Sequence, residues 1–470
     1  MPDWWRSTPE SGRRVAVVGG GVSGLVAARE LALAGARVTV LEAGSTIGGQ
    51  VRTVTFAGCQ VDVGAEALHD AAPQVGRLLT DLGLQEDLVH ASAGAAWIWT
   101  ARGLRRLPAG VGPGGPTRLG PVLRANVLSP AGLARAAMEP LVPRTSVDPD
   151  LGVGPYLTRR FGPQVRDRLV DPVLGSLHAG DVDQLSLQAA APHLAAVARS
   201  HRSLLLAHRA RRSGQAPTFV TFRQGLVTLV DALVTDPMIP IRRSTSVTAI
   251  TPLAAGYRVN LADSAPQEVD GVVLAVPAQV ACSLLEGIAP KASAALSDLR
   301  SVSVATVLAA YPRDEVQGLL AFEGTGVLVP STEGRLLKAA TFLSRKWDHL
   351  ATPEWFLVRL SAGRAGRADL ASLGDDELVR RLHADLAEAT GLNAVPAFTR
   401  VERWPGAMAQ LHVGHPSRLA ATRDALEPYP GLALAGAPYD GVGLAACITS
   451  GQRAAAALFA HLGRCEVSRR

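Results

Sequence analysis

The sequence predicts an α/β protein with an inserted helical region, and three observations carry that prediction. Near the start, a β-branched run leads into closely spaced glycines and then an apolar helical stretch. From about residue 118 to 212, apolar residues recur at three- and four-residue spacing. Beyond that, short strand-like runs return and alternate with helical ones to the C-terminus. A chain of 470 residues has room for two or three domains around large buried cores.

Val15-Ala16-Val17-Val18 reads as a buried strand and Leu25 to Ala34 as an amphipathic helix. Between them, "VVGGGVSGLVAARE" (17–30) sets Gly19, Gly21 and Gly24 in G-x-G-x-x-G spacing. The first glycine allows a tight turn, the second a close backbone approach by a pyrophosphate, and the third close helix–strand packing. The phosphates would then sit at the helix N-terminus. A second strand, Arg37-Val38-Thr39-Val40-Leu41, ends at Glu42, 18 residues beyond Gly24, where a carboxylate can hold ribose hydroxyls. This is a Rossmann-like unit. Its acid favours a nucleotide with a free 2′-hydroxyl over NADP and leaves FAD and NAD both open.

"EAGSTIGGQVRT" (42–53) adds the pair Gly48-Gly49 and then Arg52, which suits a backbone wrapped around a large anionic ligand. "VDVGAEAL" (61–68) is another small-residue approach. The Pro/Gly-rich "LPAGVGPGGPTRLGP" (107–121) ends the pattern. Helical periodicity follows in "LARAAMEPLV" and "SLQAAAPHLAAVARSHRSLLLAHRARR". Leu119 to Val142 is apolar, with Arg124, Arg135 and Arg144 spaced along it, and reads as a buried helical hairpin; peripheral membrane contact is the alternative.

Strand character returns in "SVTAI" (246–250), "GYRVNLA" (256–262) and "VDGVVLAVPA" (269–278), expected to rejoin the nucleotide domain. In the last, Ala275-Val276-Pro277 stops the ladder and permits close packing on a ligand. A mixed region contains "SVATVLAAY", "WFLVRLSAG" and a helix over "DDELVRRLHADLAEAT", whose Asp375-Asp376 start suits its positive end. The tail "GLALAGAPYDGVGLAACITSGQRAAAALFAHL" reads as strand, glycine turn and final helix. The expected organisation is a nucleotide domain from 1–90, 216–300 and 426–470, a helical insertion at 91–215 lining a cavity, and a substrate domain at 301–425.

The net charge of +6 comes from scattered basic residues, clustered only from Arg199 to Arg212, and aromatics are 4% of the chain. No basic stripe interleaves with aromatics, so nucleic-acid binding is not expected. Cys59, Cys282, Cys447 and Cys465 form no C-x-x-C pair, which argues against zinc or a redox dithiol and for reduced thiols in the cytoplasm. Asp3, Arg6 and Glu10 stand where a secretion signal would be apolar, and no run reaches the length of a spanning helix. No metal is expected.

Taken together these blocks resemble the FAD-dependent amine-oxidase superfamily, and most closely its porphyrinogen oxidases. Family landmarks are matched by "VDPVLGSLHAGDVDQLSLQAAAP" (170–192), "FLSRKW" (342–347), "RVERWPGAMAQLHVGHPSRL" (400–419) and "YDGVGLAACI" (439–448). The resemblance implies a noncovalent FAD in a Rossmann-like domain of the amine-oxidase type, a mixed α/β substrate domain and an inserted helical domain. Carried over by position, it assigns cofactor contacts to Gly19, Gly21, Val22, Ser23, Gly24, Glu42 and Ala43. It adds Gly64, Ala65, Glu66, Val247, Trp404, Val442, Gly443 and Leu444, beside Gly48, Gly49 and Arg52. Leu177 and His178 would border the substrate, and Cys447 is read as a packed small residue.

The resemblance further implies oxidation of coproporphyrinogen III to coproporphyrin III in haem biosynthesis, with protoporphyrinogen IX as a second substrate. Six electrons leave in three two-electron cycles, with three O₂ reduced to three H₂O₂. Other haem-pathway enzymes would be partners. The cofactor carries that chemistry, so no side chain is assigned as catalytic, and His178 reads as packed or capping rather than as a proton carrier. Arg52, Arg345, Lys346 and Arg423 are candidate cations for substrate carboxylates, with surface solvation the simpler role of each. His178, Leu68-His69-Asp70-Ala71 and Ala409-Gln410-Leu411 depart from the family pattern. They leave open a paralogue acting on another reduced, flat substrate, or a flavin-binding protein without turnover.

Overall fold

The computed structural model describes residues 12–69, 72–210, 219–235, 237, 239–320, 323–367 and 369–467. The expectations resting on Asp3, Arg6 and Glu10, on Asp70-Ala71 and on Arg211-Arg212 lie outside those residues, as does the side chain of Cys465.

Arg14–Val18 is the middle strand of a five-stranded parallel sheet. Arg37–Leu41 and then Ile241–Arg242 lie on one side of it, Gly271–Leu274 and then Leu432–Leu434 on the other. Parallel strands need cover on both faces. Accordingly Val15 and Val17 enter one core cluster, while Ala16 and Val18 enter another.

The helix Val22–Leu33 differs from the expected amphipathic one. Val22 to Arg29 are all buried, because the sheet covers one side and the final helix, Leu444–Val467, covers another. At that crossing a Cβ on Gly451 would come within 2.4 Å of the Ser23 carbonyl oxygen.

Of the three strand-like runs expected to rejoin this sheet, only Gly271–Leu274 does so. Val247–Pro252, Tyr257–Leu261 and Gln267–Val269 form a separate antiparallel sheet. The burial patterns explain the split. Gly271–Leu274 is buried at every residue, whereas Tyr257–Leu261 alternates and presents one face to solvent.

A seven-stranded sheet forms the second layer, in the order Phe398–Gln410, Arg300–Pro312, Trp355–Ala362, Ala339–Phe342, Gly326–Leu328, Ala96–Thr100, Gly103–Arg106. One face, with Val307, Val358 and Leu360, packs on Leu378, Leu382 and Leu386 of the helix Asp375–Thr390. The opposite face turns Leu308, Ala310 and Leu357 toward Phe56, Val61 and Val63.

The last two strands correct the expected helical insertion at 91–215. Its first part is a hairpin of the second sheet, since "AWIWT" is β-prone and Ala101-Arg102 closes a two-residue turn. Helices begin at Leu119. Their core, built on Leu157, Phe161, Val165 and Leu169, is braced by a fully buried ion pair of Arg160 with Glu139. The Glu139 carboxylate also accepts from Ser203 Oγ and the Leu204 N–H, so the charges are satisfied.

The expected buried hairpin at 119–142 is only half buried: Val122 and Ala136 face the core, while Leu123, Met138 and Leu141 are 63%, 54% and 71% exposed. Arg135 turns inward onto the carbonyls of Arg159 and Arg160.

Candidate cofactor and substrate site

The glycine turn has the geometry of an anion cradle. Gly19 has φ +104°, and a Cβ there would lie 2.3 Å from the Ala275 carbonyl oxygen; on Gly24 it would lie 2.0 Å from the Gly19 oxygen. Gly21 differs, for its nearest neighbour would be the Gly49 Cα at 3.9 Å. The first and third glycines thus close the packing, and the second leaves space above the helix start. That helix has no side-chain cap and no acid in its first turn, so its N–H groups and positive end remain available to a phosphate. The Gly48 N–H donates to the Gly20 carbonyl at 2.8 Å, which holds the second glycine pair against the first.

Glu42 closes the edge of this cradle. Its carboxylate accepts from the N–H groups of Gly20 at 2.6 Å and Gly44 at 2.7 Å. Each oxygen keeps acceptor capacity for a ribose hydroxyl. The Ser244 and Thr245 N–H groups donate to the carbonyls of Gly44 and Glu42, which ties the segment leading to Val247 to this turn. At the other end, Val442 and Gly443 (φ +112°, open space at its Cβ position) lead into the final helix, which starts at Leu444. Ser23 Oγ donates to the Cys447 carbonyl at 2.9 Å, so the two helix N-termini stand side by side. Burial raises the Cys447 thiol pKa, in keeping with a packed, protonated residue.

Gly64 lies between Gln50 and Trp404, since a Cβ there would meet the Gln50 carbonyl oxygen at 1.9 Å and the Trp404 ring at 3.1 Å. The Ala65 N–H donates to the same Gln50 carbonyl. Glu66 is engaged by protein: Lys346 Nζ at 2.6 Å, Arg359 at 3.1 Å and Trp347 Nε1 at 3.2 Å. Arg52 is half exposed and reaches Glu402 at 3.5 Å. Of the other cations named from sequence, Lys346 is this inner ligand of Glu66, and Arg423 lies outside against Asp440.

Leu177 and His178 occupy a short turn after a π-helical segment, Arg166–Gly175, a wide-wound geometry common at functional sites. Leu177 is 56% exposed, whereas His178 is 4% exposed and burial pushes its pKa down to about 4. The imidazole is therefore neutral at pH 7. Its carbonyl accepts from Gln410 Nε2 at 2.8 Å, tying the helical region to the second sheet.

The sequence reading missed Arg359, Lys338 and Arg364, three cations on or beside the strands of that sheet. A lone charge inside "FLVRLSA" and "LLKAATF" is the available signal, since a charge in an apolar strand requires a partner.

The profile of flavin-containing amine oxidoreductases matches residues 22–459. The coproporphyrinogen III oxidase of Mycobacterium leprae is 35% identical, over 96% of this chain and 99% of its own. That of Bacillus subtilis is 31% identical, over 96% and 98%. A crystal structure from Exiguobacterium sp. 255-15, provisionally named a protoporphyrinogen oxidase, superposes with a TM-score of 0.84 at 30% identity, over 96% of this chain and 99% of that one.

Proposed function

The chain belongs to the flavin-containing amine oxidoreductases, and on that premise we propose that it oxidises coproporphyrinogen III to coproporphyrin III in haem biosynthesis, with protoporphyrinogen IX as a second substrate. The observation that carries this reading is the end-to-end match to relatives named for that reaction. It is an FAD-dependent oxidoreductase, and the cradle fits the cofactor through open space at Gly21 and Gly443 and two helix N-termini without acids in their first turns. Bound FAD supplies a two-electron acceptor, used three times per porphyrinogen, and we propose O₂ as the terminal acceptor, giving three H₂O₂.

The chain's own residues bind and orient. Gly21 to Gly24 would hold the pyrophosphate, Val442 to Leu444 the ring, and Glu42 the ribose. A flat tetracarboxylate would lie where the second sheet meets the helical region, beside the cations that sheet carries. Neutral His178 shapes that space and carries no charge.

No helix among the described residues is long and apolar enough to cross a membrane. The exposed Leu123, Met138 and Leu141, flanked by exposed Arg124 and Arg144, suit docking on an anionic lipid surface, and an enzyme of the same pathway would take up the porphyrin there.

The test is porphyrin fluorescence against time with FAD-loaded protein, comparing coproporphyrinogen III, protoporphyrinogen IX and an enzyme-free control while recording H₂O₂. Oxidation well above the control, faster with coproporphyrinogen III, is the expected result. Both substrates oxidising at the control rate, with the flavin present and reducible, would overturn it.

A further inference from the structure

Around the turn that carries His178, the second sheet buries more positive charge than the protein neutralises. Lys338 is 7% exposed, and its ammonium makes no hydrogen bond to any described residue. Its backbone is fixed on both sides: the N–H donates to the Ser361 carbonyl at 2.8 Å and the carbonyl accepts from Val329 at 3.0 Å. Arg364, also 7% exposed, spends Nη2 on the Val329 carbonyl, while its Nη1 is buried without a partner. Burial, with the guanidiniums of Arg364 and Arg359 added, pushes the Lys338 amine down to about 7.

The carboxylates of this cluster are already engaged. Glu66 holds Lys346 and Arg359, and Asp171 accepts from the N–H of Ser331 at 2.6 Å and its hydroxyl at 3.0 Å. Asp167 and Arg367 lie further out, next to Asp171 and Arg364. The Ala365 N–H donates to the Ala179 carbonyl at 2.7 Å, which sets Arg364 one residue from the His178 turn. His178 Nδ1 and Gln410 Oε1 are buried there, also without partners. An unpaired ammonium and half a guanidinium in such a place cost stability unless an anion joins them.

We propose that Lys338 and Arg364 form a carboxylate receptor that binds one propionate of the tetrapyrrole where the helical region meets the second sheet. The inference rests on the tetrapyrrole reading given above. The ammonium supplies a point charge and the free Nη1 a directed donor, a pairing suited to one carboxylate. With the site filled, the carboxylate reduces the excess of buried positive charge, and the receptor would hold one edge of the substrate at the seam between the helical region and the second sheet.

The experiment uses FAD-loaded wild type, K338M and K338R. Binding of coproporphyrin III is read by fluorescence quenching, steady-state oxidation of coproporphyrinogen III gives KM, and melting is measured without porphyrin. K338M is expected to raise both Kd and KM at least about tenfold while keeping its flavin, and K338R to stay within about threefold. Because K338M removes a largely buried amine that makes no hydrogen bond to any described residue, its porphyrin-free Tm should equal or exceed that of wild type. K338M with Kd and KM within twofold of an active wild type would overturn the receptor and leave the function standing. A lowered Tm or failure to fold would also overturn it, by showing that Lys338 is structural. A wild type that neither oxidises coproporphyrinogen III nor binds coproporphyrin III would overturn the function and the receptor together.

Discussion

Glu66 and Lys346, 280 residues apart in the chain, meet in an ion pair of 2.6 Å with both side chains largely buried. Arg359 joins from the neighbouring strand at 3.1 Å. The cluster ties the loop after Gly64 to the second sheet.

Breaking that pair should cost stability in a pH-dependent way. Burial alone would raise the Glu66 pKa from 4.5, but Lys346 and Arg359 outweigh it and hold the carboxyl at about 2. The folded value lies below the unfolded one, so the stabilisation is fully present above pH 4.5 and is lost as pH falls through about 2. Glu66→Gln is expected to lower the unfolding free energy by about 3 kcal/mol at neutral pH. The gap from wild type should narrow toward pH 3. Urea denaturation at the two pH values checks this, and a gap independent of pH would count against it.

Gly21→Ala and Gly24→Ala should separate cofactor binding from folding. A Cβ on Gly21 has 3.9 Å of room, so that variant should melt near wild type yet retain little flavin. On Gly24 it would strike the Gly19 carbonyl oxygen at 2.0 Å, and that variant should lose about 1–3 kcal/mol of stability as well. Flavin absorbance and thermal melting of both proteins check the contrast. Equal losses of stability would contradict it.

His178 should not shape the pH–rate profile near neutrality. Its folded pKa of about 4 lies below the ordinary 6.5, so it stays neutral at assay pH and destabilises the fold only as pH falls from about 6.5 toward 4. His178→Phe is expected to lower kcat by less than about tenfold, short of the 10²–10⁴ typical of a general acid or base. Profiles of wild type and variant should coincide in shape from pH 6 to 8. An inflection present only in wild type would make His178 a proton carrier.

Membrane docking should depend on the exposed apolar side chains of the helical region. Met138→Asp with Leu141→Asp places charge on residues that are 54% and 71% exposed, so folding should be unaffected. Co-sedimentation with vesicles of mixed neutral and anionic lipid should fall at least about fivefold. Unchanged sedimentation, or none by wild type, would remove the lipid surface as a partner.

Local patterns made several elements legible. The strand Arg14–Val18, the glycine turn, Glu42 and the helix Asp375–Thr390 follow from β-branched runs, glycine spacing and helical period, which act within about 20 residues. The tryptophan hairpin Ala96–Arg106 was equally local and was misassigned, because a short apolar run does not say which sheet will accept it. The expected one-sided face of the first helix failed for a related reason: burial on every side is set by the final helix, which the local pattern does not contain.

By itself, the sequence determined the α/β class, the nucleotide turn and, through its long family-like strings, the chemistry expected of the protein. Only the tertiary structure decided which charges meet. Lys346 became the partner of Glu66, Arg52 of Glu402 and Arg423 of Asp440, while Arg364 kept a buried Nη1 without a partner beside the largely buried Lys338. The physical reason is range. Helix period, strand alternation and turn chemistry depend on neighbours in the chain, whereas burial and ion pairing depend on packing between strands and helices hundreds of residues apart.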